Sequence, residues 1–224
     1  VVLDVMNDRE KKNITRPDVI QLLLQARKGQ LQNDENSVEN DHENFSAHTE
    51  FDVSLKNEKL SNFEDKDWIA QGFIFFGAGF DTSTVTLKMA TYELAKNPDV
   101  QQELIAEIDE VLADGKSVSY ETLHKMKFMD MVVSETLRKW PPAGQIDRCC
   151  NKDYLLDLDN GKKVQIKKGE IIFLPIHNIQ NDPAYFPNPD NFDPHRFSDE
   201  NKASIVSGSY IPFGSGPRIC KKFK

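Results

Sequence analysis

Residues 64–96 carry one long helical pattern, and so long a helix commits the chain to a mainly helical class. The pattern is interrupted by Gly77-Ala78-Gly79 and then by Asp81-Thr82-Ser83-Thr84. Glycine inside a helix costs ~1 kcal/mol against alanine, so two of them around Ala78 need a reason. On a helical wheel Ala78, Thr82, Val85 and Met89 share one face, with Phe75 and Asp81 at its edges. The small residues open a groove on that face, and the Thr82 hydroxyl borders it. Either something flat lies in the groove or another helix packs closely there. Spacing alone favours the helix.

The rest of the chain is arranged around that element. Residues 1–29 read as a helical fragment, with Ile20, Leu23, Leu24 and Arg27 at helical spacing after Pro17 and Gly29 as a stop. Asn97-Pro98 opens a further helix, a capping side chain followed by proline at the first position. Its stripe is Val100, Leu104, Ile108, Val111 and Leu112, and Asp114-Gly115 ends it. Another helix runs from Ser119 to Trp140 and stops at Pro141-Pro142. Beyond it Asn160-Gly161 joins Tyr154–Leu158 to Val164–Ile166 as a hairpin, and 171–174 read as a buried strand. A proline-rich irregular segment and a Gly/Pro-rich loop, 212–220, complete the chain. The class is mainly α with a minor β component.

Charge is distributed unevenly. Residues 31–67 hold 11 Asp/Glu and 3 Lys, a balance of −8 that equals the net charge of the whole chain. This stretch reads as an acidic, flexible surface insert. The neutral remainder offers no broad basic surface, so nucleic acid is not an expected partner. Three cysteines, Cys149, Cys150 and Cys220, do not make a secreted disulfide framework. The longest apolar stretch, Trp68 to Phe80, includes Gln71 and falls short of the ~20 residues that cross a bilayer. Both ends read as cut.

Three places can carry chemistry. In the helix before Trp140, Glu135 falls in the stripe of Phe128, Met131 and Val132 and faces inward, with Arg138 three residues on. That is a buried ion pair in need of a third partner, or else a surface i,i+3 salt bridge. The second place is the Ala78–Thr82 notch. The third is Phe213-Gly214-Ser215-Gly216-Pro217-Arg218-Ile219-Cys220. It lacks the phosphate-loop and nucleophile-elbow patterns. A cysteine closing a Gly-rich loop beside Arg218 can be held as a thiolate, a metal ligand, or it is an ordinary buried cysteine. The histidines show no metal-ligand spacing.

Together these motifs resemble the C-terminal half of cytochrome P450, the haem-thiolate monooxygenases. Ala78-Gly79-Phe80-Asp81-Thr82 is similar to A-G-x-D/E-T, and Glu135-Thr136-Leu137-Arg138 to E-x-x-R. Asp193-Pro194-His195-Arg196-Phe197 resembles P-x-R-F, and 212–220 the cysteine-ligand loop. The resemblance runs from about Pro17 to Lys224, apart from the acidic insert, and looks most like the microsomal, xenobiotic-oxidising branch of animals. It implies a partial P450 fold, an incomplete single domain over 1–224, with the insert at 31–67, a helical part at 68–140, and strands, meander and thiolate loop at 141–224.

The resemblance also implies roles. Cys220 would ligate the iron of haem b. Phe213 and Gly216 would shape its loop, and Arg218 and Arg148 would pair with haem propionates. Glu135, Arg138 and Arg196 would form a structural triad. Ala78 and Gly79 would leave room over the porphyrin, and Asp81 and Thr82 would relay protons to bound dioxygen. The partners implied are O2, a lipophilic small-molecule substrate and an NADPH-dependent flavoprotein reductase. The location implied is the cytosolic face of the endoplasmic reticulum membrane, through an N-terminal anchor outside this sequence. One departure stands out: the family has a small residue, nearly always glycine, two positions after the cysteine, where this chain has Lys222. The alternatives are a non-catalytic truncated remnant, a haem-thiolate isomerase or dehydratase, and a helical module that binds a basic partner through the insert.

Overall fold

The computed structural model describes residues 1–28, 63–115, 117–158 and 160–216. They fall into two compact units, one made from Val1–Ser83 and the other from Thr84 onward.

In the first unit α1 (Val2–Lys12) is followed by α2 (Val19–Arg27) and by the start of α3 (Asp65–Lys96). The expected single fragment over 1–29 is therefore two helices. Asn13 makes the break by entering the left-handed region (φ 50°), which asparagine tolerates at a helix C-terminus. Asp18 then does two jobs. It accepts the Gln21 N–H to cap α2 and receives a two-pronged pair from Arg9, with both N–O distances 2.7 Å. The Arg9 hydrogen bond, the largest influence, holds the Asp18 carboxyl down to about 2. Met6, Leu23, Leu24 and Trp68 form the core of this unit. Gly72 lets α3 approach α1: a Cβ there would lie 2.8 Å from Val2 Cγ1.

The second unit holds the end of α3, then α4 (Pro98–Val111), the short α5 (Tyr120–Leu123) and α6 (Lys127–Lys139). The helix expected over 119–140 is broken between α5 and α6. Ser119 opens α5 with a reciprocal capping box to Thr122, and α6 begins afresh at Lys127 after Met126, which caps nothing with its side chain. Asn97 stands at the α4 N-terminus but does not cap it with its side chain. Its Nδ2 donates instead to Glu93 O at 2.8 Å, so the side chain closes the end of α3 and the fixed φ of Pro98 starts α4. Val100 and Leu104 from α4, Phe128 and Val132 from α6, and Phe192 form the core, as the expected α4 stripe requires.

Two antiparallel two-stranded sheets follow. β1 (Ile146–Cys149) pairs with β4 (Ile171–Leu174), and β2 (Tyr154–Asp157) with β3 (Lys163–Ile166). The hairpin turn carries Gly161 at φ 75°, as its Asn-Gly signal requires. The expectation that 171–174 are buried is corrected: Ile171 is 58% and Phe173 61% exposed among the described residues. Among the described residues this ribbon has no third strand to cover it, so apolar composition alone overstates burial. The short α7 (Ile176–Gln180) comes next, then a 3-10 turn at Pro194–Phe197 packed on α6. The acidic insert, except for its last few residues, and Arg218 to Lys224 lie outside the described residues.

Candidate functional site

Nearly the whole C-terminal half of α6 is inaccessible to solvent. Ser134, Glu135, Thr136, Leu137 and Arg138 are all buried, and Glu135 and Arg138 are 0% exposed. Arg138 grips Glu135 with two parallel bonds, Nε to Oε2 at 2.7 Å and Nη2 to Oε1 at 2.9 Å. Its remaining N–H groups reach Gln180 O (2.9 Å), Asn181 Oδ1 (3.2 Å) and Pro189 O (2.7 Å). All five donors of the guanidinium are thereby used. The Phe186 ring lies under the guanidinium carbon, 5.4 Å from centroid to Cζ.

Glu135 has further partners. Its Oε1 accepts the Asp193 N–H at 3.1 Å, and Arg196 Nε stands 3.5 Å away. Arg196 also donates from Nη2 to Asn188 O at 2.9 Å, so it ties the irregular segment to the ion pair. Its Nε is buried and pairs with Glu135 by charge rather than by an aligned hydrogen bond. Burial, the strongest influence, pushes the Glu135 carboxyl above its usual range, and the Arg138 fork, the Asp193 N–H and Arg196 pull against it.

The structure adds members that the sequence pattern did not single out. Gln180 is 0% exposed and Glu93 1%. Glu93 Oε1 accepts from Trp140 Nε1 at 2.8 Å and lies 3.1 Å from Lys139 Nζ, which joins the end of α3 to the end of α6. Glu107 on α4 reaches the N-terminus of α6, accepting the N–H of Phe128 at 2.7 Å and of Met129 at 2.8 Å. The only local signal for these residues is a polar side chain at an otherwise apolar helical position. Apart from Asn97, whose Nδ2 reaches Glu93 Oε2, their side-chain partners lie between 21 and 47 residues away.

The notch on α3 is open. Thr82 is half-buried, and its Oγ1 donates to Ala78 O at 2.6 Å; Asp81 is exposed. A Cβ on Gly77 would meet nothing within 4 Å, so among the described residues nothing packs at that position. Phe76 and Phe80 are 69% and 60% exposed and stack on each other, with centroids 5.8 Å apart. Arg148 on β1 is exposed, with Nη1 on Asp147 O at 2.7 Å. Phe213 is half-buried, and Gly216 takes φ 81°, a conformation that favours glycine. Cys220 and Arg218 lie outside the described residues. Among the described residues no group of three or more His, Cys, Asp or Glu can hold a metal ion. An open apolar notch on a long helix fits a flat apolar group such as a porphyrin.

A mainly helical chain, with two small sheets and a buried Glu–Arg pair that clamps an irregular segment, defines the class. The family model described as Cytochrome P450 matches residues 4–221, and the chain belongs to that family. It is 45% identical over 222 residues to "Probable cytochrome P450 9f2" of Drosophila melanogaster, covering 98% of this chain and 39% of that protein. It is 44% identical over 222 residues to "Cytochrome P450 9e2" of Blattella germanica, covering 98% and 38%. "Cytochrome P450 6k1" of the same cockroach is 37% identical over 223 residues, with 98% and 40% covered. The chain thus spans about two-fifths of the length of these relatives.

Proposed function

We propose that this chain is the C-terminal part of a haem-thiolate monooxygenase. Such an enzyme inserts one oxygen atom of O2 into a lipophilic substrate such as a xenobiotic, with electrons from NADPH through a flavoprotein reductase. The observation that carries the reading is a match to this family over nearly the whole chain, together with a buried Glu135–Arg138 pair whose every donor is engaged. Bound haem b supplies dioxygen activation, favoured by electron density from a cysteine thiolate.

The chain's own residues have these roles. Cys220 gives the thiolate ligand. Arg218 and Arg148 pair with carboxylates at the rim of the group. Phe213 and Gly216 set the course of the loop toward Cys220. Ala78 and Gly79 keep the α3 surface low so that a flat group and a substrate both fit. Asp81, exposed to solvent, exchanges protons with water at its carboxylate, and Thr82 relays them at Oγ1. In the structure the Thr82 hydroxyl donates to Ala78 O, which turns its Oγ1 toward the α3 backbone. Glu135, Arg138 and Arg196 are scaffold: they hold the segment around 188–193 to α6.

No helix among the described residues is long and apolar enough to cross a membrane. Attachment to the cytosolic face of the endoplasmic reticulum is assigned to an N-terminal anchor outside this sequence. The test is the absorption spectrum of the reduced, carbon monoxide-treated full-length polypeptide. A thiolate-type Soret band that disappears in Cys220→Ala supports the reading. A folded, haem-loaded protein with iron held by imidazole or water overturns it.

A further inference from the structure

One residue joins three parts of the second unit, and it is neither in the ion pair nor in the cysteine loop. Gln180, the last residue of α7, is completely buried. Its Nε2 donates to Leu137 O and Arg138 O, both at 3.0 Å, and its Oε1 accepts the Ile211 N–H at 2.8 Å. Its backbone carbonyl accepts from Arg138 Nη1 at 2.9 Å.

Each bond has a physical reason. The last carbonyls of a helix have no partner within the helix, so at the end of α6 two of them need a donor from elsewhere. Ile211 is followed by Pro212, which has no N–H, so the Ile211 N–H is the last backbone donor before Phe213. A primary amide has donors at one end and an acceptor at the other, so a single side chain serves both sites. A carboxylate would face two carbonyl oxygens, and an aliphatic chain would strand all three groups.

We infer that Gln180 is a positioning residue: it fixes the backbone at Ile211, the root of the segment that leads to Cys220, to the C-terminal end of α6. The rigidity of the Glu135–Arg138 pair is thereby passed to the loop. The neighbouring Tyr210 hydroxyl donates to Ser134 O at 3.2 Å, which anchors the side chain there; Gln180 anchors the backbone. This inference rests on the haem-thiolate reading above only for its consequence at Cys220. The tether itself is independent of it.

Two measurements test it. In the folded wild-type chain the Ile211 amide exchanges its hydrogen as slowly as the amides in the middle of α6. Exchange at the rate of the exposed Ser215 amide overturns the tether and needs no haem and no variant. In the haem-loaded full-length protein, Gln180→Met keeps helix content and haem occupancy. The ratio of thiolate-type to thiol-type carbon monoxide bands falls roughly five- to tenfold, the population shift one lost buried hydrogen bond produces. Gln180→His, whose neutral ring has one donor and one acceptor, restores part of that ratio at pH 8 and less at pH 5.5, where the ring is protonated. A wild-type band ratio in Gln180→Met at equal haem occupancy overturns the positioning role. Wild-type protein without any thiolate-type band overturns the haem-thiolate reading, while slow exchange at Ile211 would still support the tether.

Discussion

Replacing Arg138 with alanine isolates the cost of an unpaired buried carboxylate. In the variant Glu135, 0% exposed, keeps only the Asp193 N–H and the misaligned Arg196 Nε. It has two options: stay ionised without its main partner, or take up a proton. Protonation sets the ceiling. A free glutamate titrates near 4.3, so holding one neutral at pH 7 costs about 3.7 kcal/mol, 1.36 kcal/mol for each pH unit. The carbonyls of Gln180 and Pro189 also lose a donor, and each unmet buried acceptor adds about 1 kcal/mol where water does not replace it. The expected loss at pH 7 is therefore about 3–5 kcal/mol, the range for breaking a buried pair from one side. With a urea slope of ~2 kcal/mol/M the midpoint falls by about 1.5–2.5 M.

The pH dependence is the sharper test. A neutral Glu135 in the folded variant has its pKa raised above the unfolded value, so the variant recovers stability as pH falls. Between pH 7 and pH 5 the penalty should shrink by roughly 2.7 kcal/mol. Urea unfolding followed by far-UV circular dichroism at both pH values measures this. A penalty below about 1 kcal/mol at pH 7, the worth of an exposed pair, would refute the burial argument. A penalty of 3 kcal/mol or so that stays level down to pH 5 would refute the protonation argument.

Other perturbations test other joints. Glu107→Ala should cost about 1–2 kcal/mol by uncapping α6, with Glu107→Gln losing about half as much; equal unfolding midpoints for all three chains would contradict the cap. Asp18 titrates low because of Arg9, so its contribution is present above about pH 4 and is lost as pH falls through about 2. The pair is partly exposed, so Asp18→Asn should cost no more than ~1 kcal/mol at pH 7 and nothing at pH 1.5, read by thermal unfolding at both. In the full-length enzyme Thr82→Ala should keep haem and divert reducing equivalents to peroxide. Unchanged coupling of NADPH consumption to product would remove Thr82 from proton delivery.

The family match makes the sequence motifs intelligible, but the motifs and the packing speak to different things. Local order determined the helix that Pro98 opens, the Asn160-Gly161 turn and the inward face of Glu135, but not the break between α5 and α6. These follow from spacing along one element: an i,i+3 pair on an apolar stripe, or an Asn-Gly between two strand-like runs. Local order failed where an element's neighbours decide its environment. The run 171–174 looks buried by composition and is half open, because among the described residues only β1 lies beside it. Asn97 looks like a cap and instead spends its side chain on the preceding helix.

What only the tertiary structure decided is the satisfaction of the buried polar groups. The sequence places Arg138 next to Glu135 but not next to the carbonyls 42 and 51 residues further on. It does not mark Gln180 as the link between α6 and Ile211, nor Glu93 as the partner of Trp140. Helical periodicity is a property of a single element, set by a backbone repeat of 3.6 residues. A buried donor needs an acceptor about 3 Å away whatever its distance in sequence, and that condition is met only when the elements are assembled.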